Sequence, residues 1–424
     1  MSHSDALSIR QGLRYGMMGL PLAFVALPLY VVLPNHYAKT FGVSMAALGG
    51  VLLFARLLDA FFDPLLGRWS DALYQRGAST LLKRAAVACA LLGAGFYGLF
   101  FPMVSDPQLL LVWAAGTLLV TYLAYSFLSI SHQSWGAMLG GNEHYRSQVV
   151  AWREGLGLAG VITAAIAPTA LGLPATTAIF FIAISMGWWL WTRAPKPPIT
   201  SAASHATGTE SKQSVWRPLA RADFRALLAV FVVNGIASAI PATLILFFVQ
   251  DRLQAAPAHE PLFLGSYFIS AAVTIPLWLK VVARIGLART WLCGMLLSIA
   301  VFIFASQLGA GDTVPFVLVC ALSGIALGTD LTIPGALLAG LIARQGDQGQ
   351  SEGAYFGWWN FVTKLNLALA AGVALPALAW WGYAPGARDP VALNALTVAY
   401  CLLPCGLKAI AAGLLYTLIL RRSP

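Results

Sequence analysis

Charge is what this chain has least of. Of its 424 residues only 10% are Asp, Glu, Lys or Arg, while 59% are hydrophobic; soluble domains carry about 25% charged residues. With a mean hydropathy of +0.75, a soluble globular fold is excluded. Cysteine is scarce too. The five present, Cys89, Cys293, Cys320, Cys401 and Cys405, all sit in apolar runs, and no CxxC pair or Cys/His ligand set occurs. That argues against redox and zinc chemistry and leaves packing thiols. The net charge of +10 comes with no Lys/Arg-dense run interleaved with aromatics, so no nucleic-acid partner is expected. No nucleophile–base pair, metal-ligand spacing or phosphate-cradling glycine loop is present. The chain is therefore read as no enzyme, with no catalytic residue, metal or cofactor. The first 24 residues lack a charged start followed by a short apolar core and cleavage site, so the first span is expected to stay in the protein.

What is there is long apolar blocks, each near the roughly 20 residues that cross a bilayer as helix. They lie near 13–35, 45–67, 84–104, 108–131, 148–171, 175–193, 226–249, 262–283, 290–308, 314–340, 354–382 and 393–419. The fold class is an all-α membrane protein of twelve transmembrane helices. Connections are short except 194–223, rich in Pro, Ser, Thr and Ala, which reads as a linker. It divides the chain into an N-terminal six-helix half, 1–193, and a C-terminal six-helix half, 224–424. Nineteen Lys and Arg residues fall on the side that holds both termini and the linker, and three (Lys39, Arg252, Arg388) on the other. By the positive-inside rule the termini and linker are cytoplasmic. A multi-pass protein of a cell membrane, expected to be a bacterial inner membrane, follows, with lipid and a small-molecule substrate as partners and a monomer as the oligomeric state.

Six plus six helices with a cytoplasmic linker resembles the major facilitator superfamily, whose halves rock around a mid-membrane substrate. "GRWSD" (67–71) falls in the loop expected after the second span, where that superfamily carries a Gly/Asp/Arg gating motif; Gly67 and Asp71 are the matching residues. "KVVARIGLART" (280–290) occupies the equivalent loop of the second half, with Arg284 as its counterpart.

The informative stretch is "RLLDAFFDPLLGRWSD" (56–71). At 100° per residue, Arg56 and Asp63 differ by ~20° and Asp59 and Asp63 by ~40°, so the three form one stripe. A charge at mid-membrane costs on the order of 2.5–3.5 kcal/mol on insertion scales, so such residues face the bundle interior and usually have a task. Pro64 loosens the helix near Ala60 and can free a carbonyl for a cation. Other spans add Arg153 and Glu154, Asp330, and Lys364 with Asn360 and Asn366. The fourth adds a polar patch including Ser126, Ser129, His132, Gln133 and Trp135. Arg56 and Glu154, each with an opposite charge nearby, read as helix-holding pairs. Asp59 and Asp63 repel one another, so one readily takes a proton or cation.

This stretch resembles the second-helix signature of the glycoside–pentoside–hexuronide:cation symporters, the melibiose permease family: A-R-x-x-D-A-x-x-D-P-x-x-G. "EHYRSQVVAWREGLGLAG" (143–160) and "SEGAYFGWWNFVTKLNLALAAG" (351–372) are similar to two further family segments. The resemblance implies that Asp59 and Asp63 bind the coupling cation with Lys364 near them, and that Arg153 contributes to the substrate pocket. Ser129, His132, Gln133, Trp135, Asp330 and Asn360 complete the expected substrate-binding set. The departures concern the cargo. The first span and the fourth from Tyr122 to Gly141 contain no acidic residue, where sugar-transporting members place acids on sugar hydroxyls. Phe62 stands where sodium-using members have Asn, which shifts the expected coupling ion from Na+ toward H+.

The function expected is cation-coupled transport of a small organic solute, such as a sugar or glycoside, by alternating access. Two alternatives stay open: transport or export of a lipid-like or aromatic amphipath, suggested by clusters such as Trp188, Trp189 and Trp191, and a non-transporting assembly or sensor protein on the same fold.

Overall fold

The computed structural model describes residues 6–198 and 214–422. The central part of the expected linker, 199–213, lies outside the described residues. Among the described residues twelve long helices follow one another: α1 (Ile9–Phe41), α2 (Met45–Gln75), α3 (Ala78–Phe100), α4 (Pro107–Met138), α5 (Glu143–Ala170) and α6 (Gly172–Trp191). Then come α7 (Ala222–Arg252), α8 (Glu260–Ile285), α9 (Leu287–Ala305), α10 (Thr313–Arg344), α11 (Glu352–Trp380) and α12 (Pro390–Leu418). Each expected span falls on one of them. Ten are long and apolar enough to cross a membrane; α2 and α11 are outside that set, and α2 is the helix that carries Arg56, Asp59 and Asp63.

The ends are set by local chemistry. Ser8 and Gln11 form a capping box on α1. Asp106 accepts the Gln108 and Leu109 amides of α4, Asn142 the Tyr145 amide of α5, and Asp389 the Ala392 amide of α12. Each satisfies donors that a helix start leaves open. Three helices widen into a π turn, at Pro28–Val32 in α1, Phe248–Arg252 in α7 and Val398–Leu402 in α12.

One expectation is corrected here. "GRWSD" is not a loop: Gly67–Asp71 continue α2, which ends only at Arg76 and Gly77. The charges that end an apolar block do not end a helix, because none of these residues removes a backbone donor. The chain turns where Gly77 takes φ 113°, a conformation other residues avoid. Likewise Lys280–Ile285 finish α8, and only Gly286 separates it from α9.

The chain separates into two compact units, Met1–Pro218 with Ala339–Phe361, and Leu219–Leu338 with Val362–Pro424. In the first, α1 lies against α5 almost backbone to backbone: a Cβ on Gly19 would meet the Arg153 carbonyl at 2.4 Å, and one on Gly160 the Leu20 carbonyl at 2.2 Å. Lipid supplies no hydrophobic drive between helices, so close approach through small residues and interior polar contacts hold such bundles. The aromatic core of this unit is Phe24, Phe96 and Phe180, with centroids 4.5–6.4 Å apart. In the second unit the π turns of α7 and α12 meet, Phe248 stacking on Tyr400 at 4.2 Å.

Candidate ion and substrate site

On α2 the exposed face carries Leu53, Phe54, Leu57, Phe61, Phe62 and Leu65, and the buried face Ala55, Asp59, Ala60 and Asp63. The sequence places the acids at i and i+4 for this reason: one helical turn apart, they share the interior face. Both are buried, at 1% and 0% exposure. The Ser126 hydroxyl of α4 donates to Asp59 Oδ1 at 2.7 Å. Pro64 directly follows Asp63 inside the helix, so the carbonyl of Ala60 has no helical amide to accept from. Carboxylate, hydroxyl and backbone oxygens are the ligands that hard cations take, and a buried carboxylate is equally a proton acceptor.

Arg56 is not a clamp on these acids. Its guanidinium lies over the Tyr30 ring, 4.5 Å from the centroid, with Tyr122 at 6.0 Å. Tyr30 reaches it from the π turn of α1, a cation–π contact that sequence spacing could not show.

Further along α4 from Ser126, Gln133 donates to Ser129 Oγ at 2.8 Å and to Asn360 Oδ1 on α11 at 3.4 Å. Asn360 in turn donates to the Phe356 carbonyl. Ser129, Gln133 and Asn360 are thus brought together and remain half-buried. Lys364, one turn further along α11, is buried at 8% exposure and belongs to the second unit. Arg153 turns to its neighbour, donating from Nε and Nη2 to Glu154 Oε1 at 2.9 and 2.5 Å.

His132 and Trp135 stand apart from this group, in the packed interior. His132 Nε2 lies 2.8 Å from the Tyr15 carbonyl, its ring stacked on Tyr15 at 4.3 Å and edge-on to Trp191. Tyr15 returns a hydrogen bond to the His132 carbonyl. Trp135 is buried against Tyr74 and Trp191 and donates to the Pro195 carbonyl. Both residues tie helices and the start of the linker together rather than line an open site.

Asp330 is saturated. Its Oδ1 accepts from Asn234 (3.0 Å) and Trp291 (2.8 Å), its Oδ2 from Ser238 (3.3 Å) and from Lys408 (2.9 Å). Lys408 also donates to Asn234. Asp330, expected in the substrate-binding set, is one half of an ion pair with Lys408, a residue outside that set. An acid and a base left over inside the spans of one half was the signal available.

At the far end of α2, beyond its expected span, Asp71 caps α11: its two oxygens accept the Gly353 amide at 2.6 Å and the Ala354 amide at 2.9 Å. Gly67 makes room, since a Cβ there would lie 2.0 Å from the Gly353 carbonyl oxygen. Its oxygens thereby meet the positive end of the α11 dipole. Glu352, absent from the sequence-derived set, is buried beside it and accepts the Gly349 amide. Burial pushes Glu352 up to about 7. Burial first, then Glu352, pushes Asp71 well above the ordinary carboxylate range, against the Gly353 and Ala354 amides. Asp347 nearby takes Arg217 at 2.5 Å and the Tyr355 hydroxyl at 2.8 Å. Arg284, by contrast, is exposed at the end of α8 and has no ion pair among the described residues.

The family model described as MFS/sugar transport protein matches residues 14–422. The chain belongs to that family. It is a member of the glycoside–pentoside–hexuronide group of the major facilitator superfamily, as the α2, α5 and α11 motifs implied. An uncharacterized symporter of Bacillus subtilis is 23% identical over 97% of this chain and 93% of its own length. A glucuronide carrier protein homolog of Escherichia coli is 22% identical over 89% and 85%. Among solved structures, a bacterial homologue of the iron transporter ferroportin in an outward-facing state superposes with TM-score 0.72 at 15% identity, covering 97% of this chain and 99% of that one. The fucose:proton symporter of Escherichia coli does so with TM-score 0.69 at 14% identity, covering 95% and 98%. These structures share the major facilitator fold. Members of this family are multi-pass membrane transporters, and the chain is one of them.

Proposed function

We propose that the protein is a cation-coupled symporter that moves a small polar solute of the glycoside class by alternating access between its two six-helix halves. The observation that carries this reading is the buried acid pair Asp59 and Asp63, with Ser126 donating to Asp59 and Pro64 loosening the helix beside it. Two carboxylates one turn apart in a low-dielectric interior repel one another, which favours a proton or a cation between them. Phe62 in place of an amide side chain favours H+ over Na+, because it removes an oxygen ligand. The substrate site is formed by Ser129, Gln133 and Asn360, with Arg153, held by Glu154, at its edge. Lys364 supplies positive charge that stands in for the cation in the unloaded carrier. The Asp71 cap on α11 serves as a gating contact. Coupling is reciprocal: the cation tightens substrate binding by the factor that substrate tightens cation binding.

The glycoside class is supported by the naming of relatives as a glucuronide carrier homolog and a glycoside/cation symporter. The test is uptake of a labelled glycoside panel into vesicles carrying an imposed pH or Na+ gradient. Accumulation above equilibrium that follows one gradient and collapses with an ionophore for that ion is the expected result. Accumulation indifferent to both gradients would remove the symport reading.

A further inference from the structure

The second unit contains a cavity of about 250 Å³ of its own. Every residue that lines it lies within Leu219–Leu338 or Val362–Pro424, so the acids of α2 play no part in it. Its floor is the Asp330–Lys408 pair, with Ser238 beside them, and its walls are aromatic and aliphatic, including Phe268 and Phe302. Three features distinguish it from a packing void.

First, it presents hydrogen-bonding groups that nothing in the fold uses. The Ser323 hydroxyl is buried with no partner. The hydroxyls of Ser298 and Tyr400 line the cavity and make no hydrogen bond among the described residues. Lys408 has three N–H donors and spends two, on Asn234 and Asp330. Buried polar groups are normally satisfied, so a set of open ones around one space points to a ligand or water. Second, Pro241 in α7 removes the amide that would bond the Ala237 carbonyl, and both residues line the cavity. Third, the ionic floor is neutral overall, because Lys408 compensates Asp330 at 2.9 Å.

We infer that this cavity is a binding site for an uncharged, single-headed molecule with an aryl or alicyclic body, such as an aryl or alicyclic alcohol or amide. A neutral floor gives a charged guest no counter-charge that is not already taken, and burying an unpaired charge is expensive. The open donors and acceptors suit one hydroxyl or carbonyl head, and the walls suit a ring. The volume lies above the roughly 150 Å³ of a cavity that holds benzene and just below the roughly 300 Å³ at which drug-sized sites begin. The site is independent of the symport reading, since it shares no residue with the α2 acids.

The experiment uses the full chain in lipid nanodiscs, with 4-fluorobenzyl alcohol, 4-fluorobenzoate and 4-fluorobenzylamine as probes followed by fluorine NMR. The alcohol binds saturably, and the two charged probes bind at least tenfold more weakly. Ala326→Phe, which fills the cavity from α10, weakens alcohol binding at least tenfold. Ser298→Leu, which fills it from α9, does the same and guards against misfolding of the first variant. The proposal is overturned by no saturable alcohol binding, by equal binding of the three probes, or by alcohol binding unchanged in both filled variants. Failure of ion-driven uptake leaves these readouts unaffected, so the two proposals fail separately.

Discussion

Gly67→Ala tests the gate with the smallest change available. The new Cβ would lie 2.0 Å from the Gly353 carbonyl oxygen, 2.7 Å from its carbon and 3.2 Å from the Gly357 Cα. All of these are backbone atoms, so no side chain can swing away. Restoring ordinary contact at 3.4 Å requires α2 and α11 to separate locally by about 1.4 Å. That would stretch the Asp71–Gly353 hydrogen bond from 2.6 Å to about 4 Å and break the Ala354 bond as well. An ordinary hydrogen bond contributes about 0.5–1.5 kcal/mol, so losing the two costs the capped arrangement about 1–3 kcal/mol, a factor of roughly five to a hundred. Amide exchange at Gly353 and Ala354 reads this directly: protection falls roughly five- to a hundredfold in Gly67→Ala. Gly116→Ala, where the added Cβ meets nothing within 4 Å, leaves it unchanged and controls for insertion and folding. Equal protection in both variants would refute the claim that close approach at Gly67 sustains the cap.

Other outcomes follow from the same physics. Glu352, held up to about 7, keeps in the folded state a proton that the unfolded chain has already released. Stability therefore falls as pH rises from the ordinary carboxylate range to about 7, and Glu352→Gln flattens that slope when Tm is followed from pH 5 to 8. Lys408→Met leaves Asp330 buried without its counter-charge and costs roughly 3–5 kcal/mol. Adding Asp330→Asn recovers most of the loss, whereas additive losses in the double variant would show the two residues act separately. His132→Phe keeps the stack on Tyr15 and loses only the bond to the Tyr15 carbonyl. It lowers stability by about 1 kcal/mol and leaves substrate affinity unchanged; a large rise in the half-saturating substrate concentration would return His132 to the binding set.

Twelve long helices were legible because each apolar block falls on one helix, and ten of them are long and apolar enough to cross a membrane. The α2 acids were legible as an interior pair because 3.6 residues per turn fixes which positions share a face. Helix ends were less so: α2 runs on to Gln75 through Gly67–Asp71, since hydropathy marks where an apolar block ends, not where backbone hydrogen bonding stops. Long-range partners were not legible at all. Asp71 meets amides 282 and 283 residues away, and Asp330 meets Lys408 across 78 residues. A pattern along one helix does not say which other helix supplies the far end of a contact. For His132 the residue type suggested ligand chemistry, while its position on α4 turns it into the Tyr15–Trp191 stack.

Solute flux in proteoliposomes with Asp59→Asn and Asp63→Asn measures directly whether the α2 carboxylates carry the driving ion. An amide keeps the shape and removes the titratable, cation-holding group. Both variants are predicted to lose accumulation against a concentration gradient while retaining solute exchange between equal pools on the two sides. Uphill accumulation at the unmodified protein's level in both variants would contradict it.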